Sequence, residues 1–156
     1  VPPVEHDAPA AHRTEWRVER AGQGVIALAL ALAALGLFGE GPLARRARAT
    51  ADARATVRWE RVARTGATTT VRVRHEAGGT PVRVTLPAAL LAQFDVEDAV
   101  PAAREARATR AGLELAFALG AGGEASVRLA PRGPGRLRDT LRVDGAPVPL
   151  EILVLP

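Results

Sequence analysis

Hydrophobic and polar positions change their pattern twice along this chain. Residues 1–24 mix Arg13, Arg17 and Arg20 with Glu5, Asp7, Glu15 and Glu19 and show no sustained period. From Ala21 to Gly39 there is no charge, and from Gly24 onward the stretch GVIALALALAALGLFG has no polar side chain. Glu40, the Gly41-Pro42 breaker and the basic string Arg45, Arg46, Arg48 follow. A membrane span needs about 20 mostly apolar residues, with a lower limit near 17. Ala21 to Gly39 reaches that limit, and Leu43 extends it past the breaker. The pattern therefore predicts a transmembrane helix over 21–43, after a tail at 1–20 and before a linker at 44–54. A cleaved signal peptide is the rival reading, because Ala49, Ala51 and Ala53 offer small-residue cleavage sites.

Beyond residue 54 the period becomes two. Alternating runs occupy Ala55–Ala63, Thr68–His75, Pro81–Leu86, Leu113–Leu119, Ala125–Ala130, Leu137–Val143 and Val148–Val154. Each is bounded by Gly or Pro, as at Gly78-Gly79, Gly120 to Gly123, Gly133-Pro134-Gly135 and Gly145. Seven short alternating strands with turn signals predict an all-β, immunoglobulin-like sandwich over 55–156. Pro87 to Gln93 reads as a short helix with proline at its first turn, closing one end of the sandwich.

Composition narrows the chemistry. The chain has 156 residues, 47% of them hydrophobic, and no cysteine. Thiolate metal sites, disulfides, iron–sulfur clusters and cysteine nucleophiles are thereby excluded. Histidine occurs only at positions 6, 12 and 75. The 21 basic residues are all arginine, and residues 45–156 carry most of them. Arg72, Arg74 and Arg83 suggest a stripe on one face of adjacent strands, able to meet phosphates. Phe38 and Trp16 lie outside the sandwich, however, leaving too few aromatics there for base stacking. No nucleic-acid partner is expected, and a solvated face or an acidic partner suits the stripe better.

Each remaining candidate for chemistry has a plainer reading. Ser126, the single serine, sits inside a strand pattern without a nucleophile elbow. His75 ends a strand beside Glu76 and reads as a turn residue. Asp95, Glu97 and Asp98 lack the further ligands and glycine of a calcium loop and read as a solvated loop. Gly120 to Gly123 lacks the lysine of a phosphate loop and reads as a hairpin turn. No catalytic residue, cofactor or metal is expected, and the chain is read as a non-enzyme.

The strings GLFGEGPLARRARA, TVRWERVARTGATTTVRVR and GRLRDTLRVDGAPVPLEILVLP resemble a group of small bacterial single-span membrane proteins with a C-terminal β-sandwich. The resemblance covers roughly residues 35–156 and implies an extracytoplasmic sandwich, in a bacterium the periplasmic side of the inner membrane. It implies no active-site residues. The local arginine count points the other way, with more arginines after the apolar run than before it.

Interaction is the role left. Gly24, Ala27, Ala31 and Ala34 recur at spacings of three and four, giving a small-residue helix face of the kind that packs against other helices in lipid. Trp16, Arg17 and Arg20 precede the apolar run, where an indole and guanidinium groups suit the headgroup region. The expected function is an accessory subunit of a larger integral membrane complex, of respiratory or photosynthetic type, whose partners are other membrane proteins and the lipid bilayer. The alternative is an exported or membrane-tethered binding domain for a protein or an acidic ligand.

Overall fold

The computed structural model describes residues 9–34, 45–77 and 81–156. The chain divides into two compact units, Val1–Pro42 and Leu43–Pro156.

The first unit contains α1 (Pro9–Ala34). Proline is accommodated at its first position, where a missing N–H costs no helical hydrogen bond, and alanine, leucine, glutamate and arginine favour helix thereafter. The helix begins well inside the stretch expected to be a tail, because residues 9–20 are themselves good helix formers with no breaker before Ala21. Among the described residues no helix is long and apolar enough to cross a membrane. At 1.5 Å per residue the uncharged part, Ala21–Ala34, rises about 21 Å against ~30 Å of hydrocarbon. Residues 35–43 of the expected span lie outside the described residues.

The second unit is a β-sandwich. Its strands are β1 (Arg45–Ala49), β2 (Ala55–Glu60), β3 (Val62–Arg64), β4 (Thr69–His75), β5 (Val82–Pro87), β6 (Phe94–Val100), β7 (Glu105–Thr109), β8 (Gly112–Phe117), β9 (Glu124–Pro131), β10 (Gly135–Val143) and β11 (Ala146–Leu155), with α2 (Ala88–Gln93) between β5 and β6. One sheet has the order β1-β2-β4-β9-β6, the other β3-β11-β10-β5-β8-β7. Pairing is antiparallel except for β3, which runs parallel to β11 through Val62↔Leu153 and Ala63↔Val154.

All seven alternating runs become strands, and four elements differ from expectation. The run Ala55–Ala63 is two strands, since the chain leaves one sheet after Glu60 and enters the other at Val62. Strands β1, β6 and β7 were not expected, which makes eleven strands among the described residues where about seven were predicted. Residues 45–49, expected as linker, pair with β2 from Arg45↔Glu60 to Ala49↔Thr56. Thr50 closes this hairpin: its buried Oγ1 accepts from Ala55 N–H at 3.0 Å and donates to Asp52 Oδ1 at 2.6 Å. Asp95, Glu97 and Asp98 lie on β6 rather than in a loop. Gly120 to Gly123 joins strands of opposite sheets, so it is a crossover and not a hairpin turn.

The core follows from the period-two pattern. Val57, Trp59, Val71, Val73, Val127 and Leu129 from one sheet meet Leu86, Phe117, Leu137, Leu141, Leu150 and Ile152 from the other, all buried. Burying such a side chain contributes about 1.5–3 kcal/mol over leaving it in water. Helix α2 starts directly after Pro87 and buries Leu90 as it carries the chain between the sheets.

Candidate functional site

In α1, Gly24, Ala27, Ala31 and Ala34 lie within one quarter of the helix circumference at 100° per residue. Gly24, Ala27 and Ala31 are exposed, and a side chain added at Gly24 would meet nothing within 4 Å. Val25, Ile26, Leu28 and Leu30, distributed around the same turns, are each 60–68% exposed. The expected anchors fall on the same helix. The Arg20 guanidinium stacks over the Trp16 ring at 4.2 Å, a cation–π contact made possible by their i, i+4 spacing. Arg17 lies between them in α1.

The other candidates lie within the sandwich. Ser126 faces Arg72 and Val100 across the ladder, and its hydroxyl donates to Val100 O at 3.4 Å. Asp95 and Asp98 pair with Arg132 at 2.6 Å and Arg128 at 3.0 Å. Hydrogen bonding from Arg132 holds the Asp95 carboxyl below its ordinary pKa. Among the described residues no three or more histidine and carboxylate groups gather as a metal site. His75 is the last residue of β4 rather than part of the turn after it, and it is 4% exposed. One ring nitrogen, Nδ1, faces the Ala77 carbonyl, and the other, Nε2, lies 3.4 Å from Asp144 Oδ2. Asp144 belongs to the β10–β11 turn, so this contact clasps one sheet to the other. Arg72 and Arg74 lie on β4 while Arg83 lies on β5 of the other sheet, so the expected single stripe is not formed.

The structure gathers a different basic group. Strand β1 is the edge of its sheet and all five of its residues are exposed. Beside it lies a cavity of about 350 Å³ lined by Arg45, Arg46, Arg58, Arg72, Trp59 and Thr70, with Glu60 as its one carboxylate. Arg58 and Arg72 stand directly opposite each other on the β2–β4 ladder. Arg72 reaches Glu124 at 3.8 Å, whereas Arg45, Arg46 and Arg58 form no ion pair with another described residue. Glu60 itself accepts a hydrogen bond from Thr69 Oγ1 at 3.0 Å. A second cavity of about 410 Å³ shares Arg46 and Trp59 and adds Arg48, Arg61 and Arg138 against Asp139 and Glu151. The Trp59 indole is buried on the inward face of β2, where it donates to Glu151 O of the other sheet at 3.1 Å.

No family model, curated protein or solved structure matches this chain. Its chemistry is therefore read from its own residues. In the sequence the Arg45–Arg48 string stands only as a flank of the apolar run. The signal that marks Arg45 as part of a site is tertiary: β1 must pair with β2 before it can approach Arg58 and Arg72.

Proposed function

We propose that this chain is a non-catalytic accessory subunit of a larger integral membrane complex, docking through α1 and presenting its sandwich to the aqueous side. The observation that carries this reading is the surface of α1 over Ala21–Ala31. There, charge-free residues such as Val25, Ile26, Leu28 and Leu30 are exposed on every side. A helix apolar all round suits a membrane or a buried position and is unfavourable in water. The small-residue face at Gly24, Ala27, Ala31 and Ala34 suits close approach by a neighbouring helix, since lipid tails give no hydrophobic preference between partners. The expected span runs to residue 43, beyond the described residues of α1. Trp16 and Arg20 then lie at the headgroup level before it, and the sandwich lies on the periplasmic side of a bacterial inner membrane. The strand orders β2-β4-β9-β6 and β11-β10-β5 support an immunoglobulin-like variety of sandwich, the two sheets following the A-B-E-D and G-F-C arrangements.

Native membranes test the proposal. The chain should resist carbonate extraction and migrate in mild detergent within an assembly much larger than itself. Ala31→Leu keeps the helix apolar while filling the small-residue face, and should reduce co-purification with that assembly. Val25→Ala, on the far side of the helix, should reduce it less. Wild-type protein that is extracted by carbonate, or that migrates alone, refutes the subunit reading.

A further inference from the structure

The cavity beside β1 holds an unbalanced charge that the accessory role does not explain. Arg45, Arg58 and Arg72 share its outward row with the single carboxylate of Glu60, and of the three only Arg72 forms an ion pair among the described residues, with Glu124 at 3.8 Å. Arg58 and Arg72 are cross-strand partners, an arrangement in which like charges destabilise the ladder unless an anion sits between them. We propose that this cavity binds a phosphate group, either as a free phosphate or as the monoester headgroup of a lipid. Guanidinium groups offer planar pairs of N–H donors that match two phosphate oxygens at once, which a point charge cannot do. Arg45 from the edge strand and Arg58 and Arg72 from the next two strands, all on the outward row of the sheet, supply such donors from several directions. Thr70, on the same row, adds a hydroxyl, and Trp59 neighbours Arg58 in β2 with its side chain buried on the opposite face. A volume of about 350 Å³ falls at the lower end of small-ligand sites, so the cavity has room for a phosphate and part of what carries it. The neighbouring cavity is a poorer anion site, because Asp139 and Glu151 contribute negative charge to its lining.

This inference does not depend on α1 spanning a membrane, and its test reports on the sandwich alone. The full chain, held in neutral-detergent micelles at fixed ionic strength, carries Trp16→Phe so that Trp59 is the only indole. Inorganic phosphate and dioctanoyl phosphatidate are titrated separately, with dioctanoyl phosphatidylcholine as the zwitterionic comparison. A saturable change in Trp59 fluorescence is expected with at least one phosphate probe and not with phosphatidylcholine. Arg58→Gln and Arg72→Gln should each weaken it about tenfold or more, while Arg107→Gln on β7 leaves it unchanged. Both substituted arginines are exposed, and circular dichroism melts verify that the variants fold. Saturation by inorganic phosphate identifies a soluble source, and saturation by phosphatidate alone identifies a lipid headgroup; either upholds the site. A response that does not saturate, that survives Arg58→Gln, or that falls equally with Arg107→Gln overturns it.

Discussion

At the scale of residues, ion pairs between exposed side chains organise much of the outer surface. Glu151 accepts from Arg136 Nε at 2.9 Å and from Arg138 Nε at 3.1 Å. Hydrogen bonding first from Arg136 and then from Arg138 holds its carboxyl below the ordinary glutamate range. A carboxylate with a depressed pKa in the folded state contributes stability above its unfolded pKa, and that contribution is lost as the pH falls through the folded value. Glu151→Gln should therefore lower the urea midpoint at roughly pH 7, with the gap to wild type closing as the pH approaches about 2. The effect will be small, since both partners are in contact with solvent. A gap that stays constant over this range shows that the pair contributes through packing and not through charge.

At the scale of elements, two turns explain how the sheets hold their register. Asp144 and Gly145 both have positive φ, 49° and 84°, as a two-residue hairpin twisted to match its strands requires. Val143↔Ala146 pairing follows directly, and the Asp144 carboxylate also accepts from Arg83 N–H at 2.8 Å. The β7–β8 turn is more confined. Gly112 has φ +137°, and a Cβ there would lie 1.9 Å from the Leu86 carbonyl oxygen, part of the backbone that leads into α2. Gly112→Ala should destabilise the sandwich by at least ~3 kcal/mol, because neither the turn nor its backbone neighbour can move without breaking the β5–β8 ladder. Denaturant unfolding checks this, and a loss below about 1 kcal/mol would mean that β7 and β8 shift freely. The interior strands were legible in the sequence because each has one buried row and one wet row. The strands that were missed, β1, β6 and β7, all lie at sheet edges. RRARA and EARAT alternate only alanine with polar residues and bury none of them, so they offer no row of large apolar side chains to read.

At the scale of the whole molecule, the two units rest on different physics. The sandwich encloses its own continuous core, from Val57 and Trp59 to Leu150 and Val154. Residues 43–156 made alone should accordingly fold to the same sandwich and melt within about 5 °C of the full chain. A much lower melting point, or exposure of Trp59 by its fluorescence, would show that the first unit is needed to complete the core. By itself the sequence determined the β-rich class, the interior strands, the short helix after Pro87 and the charge-free stretch from Ala21. These are properties of local period and composition, and neighbours along the chain are enough to set them. Only the tertiary structure decided the edge strands, the sheet change at Arg61, the clasp of buried His75 on Asp144 and the gathering of Arg45, Arg58 and Arg72. Those depend on which strand lies beside which, and pairing across tens of residues leaves no period in the residues that it brings together.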